Sequence, residues 1–306
     1  MKTLKLIKQN TNIQFLKYKK ITLSISIIFC LISFFSLFIN GLNFGIDFKG
    51  GSLIEVKSDE SINISDVRSK LSLLNLGDVQ IQNFGSDKNV LVRVEASSSE
   101  NNSSVLSLIT NELEAFGEIQ RTEVVGPKIS SELIQKGILA IISAVGLMLF
   151  YIWIRFEWQF SLGAVLALVH DVIITIGIFS FFQIEFNLSI IAALLTIIGY
   201  SMNDTVVVYD RVRENLRKHR SKNIIDLLNL SINETLSRTI VTSVTTLLAL
   251  LSLFIFGGEV IKGFTFAMIW GVVVGTYSSI FVAAPLLNYL DVKREWNTTS
   301  AVDSTR

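Results

Sequence analysis

The chain has 306 residues, half of them hydrophobic and 17% charged, with a formal net charge of +1 and a mean hydropathy of +0.52. Globular chains carry roughly 25% charged residues, so this composition describes a multi-span membrane protein, and the near-zero net charge argues against a nucleic-acid partner. Cys30 is the single cysteine, which excludes a disulfide within the chain, and His170 and His219 are the two histidines. No metal centre, cofactor or enzymatic chemistry is expected from so few ligands and nucleophiles.

Residues 1–20 carry six lysines and no acid. Ile21–Ile39 is 19 residues without a formal charge, longer than the apolar core of about 7–15 residues in a cleaved leader, and no A-x-A-like site follows it. It reads as a retained transmembrane helix, with Cys30 inside it where a thiolate is disfavoured.

The stretch NFGIDFKGGS (43–52) comes next. Gly45 and Gly50 have the G-x4-G spacing of a phosphate loop with Ser52 in the hydroxyl position, yet the lysine slot is Gly51. A phosphate loop also follows a strand and opens a helix, whereas this stretch follows a transmembrane helix and opens a strand. It reads as a glycine-permitted joint between the first span and an external domain, with Asp47 bonded to backbone there.

Residues 41–136 form that domain. SLIEV (52–56) is a strand. SDVRSKLSLLNLG is a helix with Ser65 as N-cap and Gly77 as stop. VQIQNF (79–84) alternates as a half-buried strand, GSDKN is a turn, and VLVRVEA (90–96) is the return strand. The polar SSSENNSS precedes a second helix over 105–117 and a last strand over 119–125. The order β-α-β-β-α-β is the ferredoxin-like split βαβ arrangement.

A spanning helix needs about 20 apolar residues. Five more candidates lie within 137–290: Gly137–Ile154, Phe160–Phe182, Leu188–Tyr209, Thr239–Phe256 and Gly263–Leu290, the last over-long and expected to tilt, to kink near Pro285 or to leave the membrane early. A cytoplasmic loop is expected over 210–238 and a cytoplasmic tail over 291–306. If the spans alternate, 16 of the Lys and Arg residues outside the spans, not counting Arg238 at the mouth of the fifth, fall on one face, against Lys262 alone in the short loops of the other. Both termini are therefore expected in the cytoplasm, with 41–136 outside.

An ionisable group at a bilayer centre costs about 2.5–3.5 kcal/mol on insertion scales, so each one in a span is a functional candidate. LALVHDVIIT puts His170 and Asp171 in the third span. IIGYSMNDTVVVYDR puts Ser201, Asn203 and Asp204 in the fourth. LSRTIVTSVTTLL opens the fifth with Arg238, followed on one helix face by Thr242, Thr245 and Thr246. Burial favours the protonated carboxyl and a nearby guanidinium the ionised one, so bringing Arg238 to Asp204 and removing it would release and bind a proton. Spacing alone leaves open a second reading, in which Asp204 only holds helices together and Arg238 snorkels to the interface. GVVVG (271–275) is a close-packing face.

FGIDFKGG after the first span, VGPKIS (125–130), HDV, the seventeen-residue GYSMNDTVVVYDRVREN and SRTIVTSVTTLL stand in this order. Together they resemble the SecD/SecF family of bacterial protein-export membrane proteins, in the resistance–nodulation–division transporter superfamily, over roughly residues 15–295. The resemblance implies one six-helix repeat of that superfamily with a small external α+β domain, in the bacterial plasma (inner) membrane. It implies a partnership with SecD and the SecY-channel translocase, an unfolded preprotein as substrate, lipid around the helices, and use of the proton-motive force.

Asp204 and Arg238 match the family's proton-path residues and Asp171 its third-span acid, with His170, Ser201, Asn203 and Thr242 as supporting polar groups. Gly45, Asp47, Gly50 and Gly51 match the family motif at the joint, where Lys49 departs from it and is given no role. Two alternatives stand beside this. Half of a proton-coupled small-molecule exporter would normally carry a much larger external domain. A non-transporting translocon assembly factor would have no use for Asp171, Asp204 and Arg238.

Overall fold

A computed structural model describes residues 11–74, 76, 79–95, 102–290 and 292. After a 3-10 turn at Phe15–Tyr18, the elements are α1 (Lys19–Asn40), the single turn α2 (Ile46–Lys49), β1 (Gly51–Lys57), α3 (Ile64–Ser72), β2 (Val79–Phe84), β3 (Ser86–Glu95), α4 (Asn102–Leu113) and β4 (Glu118–Val125). Then come α5 (Pro127–Arg155), α6 (Trp158–Phe182), α7 (Leu188–Lys218), α8 (Ile224–Phe256), α9 (Lys262–Ser278), a π-helical turn at Ser279–Ala283 and α10 (Ala284–Tyr289). Among the described residues, six helical segments are long and apolar enough to cross a membrane.

The strands form one antiparallel sheet in the order β2-β3-β1-β4, the ferredoxin-like order that the alternation of elements predicts. Ile54, Val56, Val90, Val92 and Val94 of the sheet pack against Val67 and Leu71 of α3 and Ile109 and Leu113 of α4. The opposite face turns toward the helix bundle. There Leu53 and Leu91 meet Ile46 of α2, and a cleft of ≈ 550 Å³ separates them from Phe264 and Phe266 of α9.

In the bundle, α6, α7 and the last span are central, with 61%, 56% and 61% of their most apolar windows buried, while α1, α5 and α8 have 17%, 11% and 11% and lie outside. Lipid tails are as apolar as leucine, so helix contact in a membrane depends on close packing of small residues. Gly271 and Gly275 of α9 provide it. A Cβ on the first would come within 2.4 Å of Ile197, and one on the second within 3.0 Å of Ser201, both on α7. Before Pro285 the last span loosens into the π-helical turn, because proline has no N–H and its ring crowds the carbonyl four residues back. Tyr209, fully buried, donates its hydroxyl to the Ala283 carbonyl there at 3.0 Å.

Several boundaries differ from expectation. The N-cap of α3 is Asn63, whose side chain accepts from the Ser65 amide at 3.0 Å, so Ser65 is the second helical residue and not the cap. The turn GSDKN shrinks to Gly85 at φ 76, and Ser86–Asn89 joins the strand. The second domain helix ends at Leu113, short of 117. The expected loop 210–238 is helical apart from 219–223, since α7 and α8 continue past their apolar runs as an amphipathic hairpin. Asn215 holds that hairpin together, donating to Ser231 at 3.0 Å and to Glu234 at 2.7 Å. Gly77, most of the loop 97–104, the first ten residues and nearly all of the expected tail lie outside the described residues.

Candidate functional site

The glycine stretch reaches further than a joint between two elements. Gly41, Gly50 and Gly51 have φ values of 65, 77 and 131, and a Cβ on Gly51 would come within 2.2 Å of the Val94 carbonyl oxygen of β3. Between these glycines the chain docks on the α6–α7 connection. The Gly45 amide donates to the Phe186 carbonyl at 2.9 Å, and the Phe186 amide to the Asn43 carbonyl at 2.7 Å. Asp47 accepts the Leu188 amide at 2.8 Å, which supplies the first turn of α7 with a side-chain acceptor. Lys49 pairs with Glu95 at 2.8 Å. Arg93 of β3, nearly buried, meets Glu185 of the same connection at 2.5 Å.

Inside the bundle the two buried acids, Asp171 and Asp204, have separate surroundings. Asp171 of α6 is fully buried. Its Oδ1 meets His170 Nδ1 at 2.8 Å, and its Oδ2 accepts from Ser201 of α7 at 2.5 Å and from Ser278 of α9 at 2.7 Å. The His170 ring stacks on Tyr277 of α9, whose hydroxyl donates to the Thr22 carbonyl of α1 at 2.9 Å. Four helices meet through this one carboxylate and its neighbour.

Asp204 lies three residues past Ser201. It is 3% exposed, and its Oδ2 has no hydrogen-bond partner among the described residues. Arg238 of α8 is within electrostatic reach of it, yet no hydrogen bond or ion pair joins them among the described residues. Arg238 is exposed on the outer face of α8.

The expected residues are thus regrouped. Ser201 serves Asp171 and not Asp204. Asn203 is exposed on the outside of α7. Thr242 bonds back to the carbonyls of Arg238 and Thr239 on its own helix, at 3.1 and 2.9 Å, and its hydroxyl bonds no other helix among the described residues. Ser278 and Tyr277 escaped the sequence reading. The string TYSS (276–279), three hydroxyl residues and a tyrosine inside an apolar run, is the signal that could have marked them.

A family model described as "Protein export membrane protein SecD/SecF, C-terminal" matches residues 107–293, and one described as "SecD/SecF GG Motif" matches residues 35–62. The chain is similar to a protein translocase subunit SecF of Rickettsia rickettsii, at 47% identity over 96% of each chain. A SecF of Cereibacter sphaeroides is 46% identical over 95% of this chain and 93% of that one. Among solved structures, SecDF of Thermus thermophilus, a translocon-associated membrane protein, matches with a TM-score of 0.84 at 34% identity. The match covers 94% of this chain and 40% of that one, so this chain spans well under half of the solved protein. SecDF in a super-membrane-facing form, also 34% identical, matches with a TM-score of 0.68 over 92% of this chain and 39% of that one.

Proposed function

The chain belongs to the SecD/SecF family of protein-export membrane proteins, and from that premise we propose that it is the smaller subunit of a two-chain auxiliary of the Sec translocase, drawing unfolded preproteins outward at the expense of the proton-motive force. Its partners are a SecD chain and, through it, the SecY channel. Both termini lie in the cytoplasm, and the sheet domain works on the far side of the membrane.

Asp204 is the proton-carrying acid and Arg238 the cation that controls it, with Asp171 as the second acid of the path. The observation that carries this reading is the buried Asp204 Oδ2 without a hydrogen-bond partner beside an Arg238 that stays exposed on the outer face of α8. A carboxylate held only as structural glue would be saturated, as Asp171 is. An exposed arginine on an apolar helix suits a contact completed by a second chain.

The test is Asp204→Asn in vesicles that hold the complex with SecD and the channel. Proton flux and preprotein release are both expected to fall at least about tenfold, or about 1.4 kcal/mol, while SecD still co-purifies. Proton-dependent export at the wild-type rate would refute the relay.

A further inference from the structure

The relay through Asp204 leaves one buried titratable ring unused. His170 is 7% exposed, and no protein group among the described residues reaches its Nε2. The other ring nitrogen is committed to Asp171 at 2.8 Å. On Oδ2 the two serine hydroxyls both donate, the pattern of an ionised acid, whose Oδ1 then accepts from the ring. Nδ1 then carries the ring's proton, and Nε2 presents a lone pair to the bundle interior. Among the surrounding titratable groups, Tyr277 of α9 has its hydroxyl turned to the Thr22 carbonyl. Cys30 of α1 is close enough to feel the Asp171 charge, and Asp204 of α7 is three residues past the serine that bonds Asp171.

We infer that His170 Nε2 is a second proton-binding site of the bundle, distinct from Asp204, which takes up the transported proton with Asp171 as its fixed counter-charge. The step adds one proton to the Nε2 lone pair and breaks no other bond. It takes the His170–Asp171 pair from a net charge of −1 to zero, which an apolar core favours. Ser201 and Ser278 keep the acid ionised and in place throughout. They also tie its position to α7 and α9, so the charge change is felt where three central segments touch.

This inference rests on the proposed relay for the proton's purpose, but the site can be tested without it. His219→Gln, at an exposed position beyond α7, leaves His170 as the only imidazole of the chain. Selective 15N-histidine labelling of this chain, in complex with an unlabelled SecD chain in lipid nanodiscs, then reads a single ring. As the pH is lowered the Nε2 signal is expected to pass from bare to protonated nitrogen while Nδ1 stays protonated, and Asp171→Asn is expected to displace that transition. A ring that keeps one state from about pH 5 to 9 overturns the inference.

His170→Gln, which offers a similar reach but no titration, is expected to cut proton flux and proton-driven export by about tenfold. Flux at the wild-type rate in that variant also overturns it. If Asp204→Asn abolishes flux while Nε2 never changes state, the inference fails and the relay stands. If Nε2 titrates and its loss stops flux while Asp204→Asn conducts normally, the relay through Asp204 fails and the histidine site stands.

Discussion

Asp171 accepts hydroxyl donors from two other helices on one oxygen, Ser201 at 2.5 Å and Ser278 at 2.7 Å. Removing one donor leaves a buried carboxylate oxygen with a single partner. Ser278→Ala is expected to lower stability by about 1–2 kcal/mol, the upper part of the range for polar contacts between membrane helices. Ser278→Thr, which keeps the hydroxyl, is expected to recover most of the loss. Reversible unfolding in mixed micelles measures both, and an alanine variant as stable as wild type would remove Ser278 from the centre. At this scale the acids were legible and their partners were not. Asp171, Asp204 and Arg238 stand out because charge is costly in an apolar run. A serine costs little in any membrane helix, so Ser278 carries no signal of its own, and its pairing depends on how α9 is rotated against α6. The rotation of α7 against α6 likewise gives Ser201 to Asp171, although sequence spacing places it one turn from Asp204 on α7.

The elements themselves were easier to read than their ends. Periodicity and turn residues were enough for the β-α-β-β-α-β order, and six apolar runs for the spans. The ends of α7 and α8 were missed because their apolar runs stop near the membrane edge while the helices go on. Beyond that edge α7 and α8 are held by side-chain contacts such as Asn215 to Ser231 and Glu234, which hydropathy does not register. The cap of α3 was misplaced by two residues because Asn63 and Ser65 are both good capping types. Gly51 is the sharpest test at this scale, since its φ of 131 and the 2.2 Å approach to the Val94 carbonyl leave no room for a side chain. Gly51→Ala is expected to part the start of β1 from β3 and to raise amide exchange over 51–57 and 90–95 at least about tenfold, as a local opening stabilised by about 1.4 kcal/mol less would do. Unchanged protection there would mean that the joint bends in some other way.

For the whole molecule, the proposed orientation makes a direct prediction. In a Cys30→Ser background, Lys57→Cys at the exposed end of β1 is expected to react with an impermeant maleimide added outside intact spheroplasts. His219→Cys, between α7 and α8, is expected to react only after lysis; the reverse pattern would invert the topology. The outer helices α1, α5 and α8 have mostly unburied apolar faces, and Arg238 lies on one of them, so the proposed proton path would be completed at an edge where a second chain fits. The contact of Asp47 with the Leu188 amide has a consequence for how such a machine is regulated. Helix α7 is gripped at one end by the external domain and carries Asp204 sixteen residues further on, about 24 Å along its axis. Free-energy coupling is reciprocal: whatever proton binding does to the domain's position, tension on the domain does in return to proton binding. Under the proposed relay, a polypeptide pulling on the domain would therefore set how readily protons are admitted, and a complex with no cargo would idle with little leak.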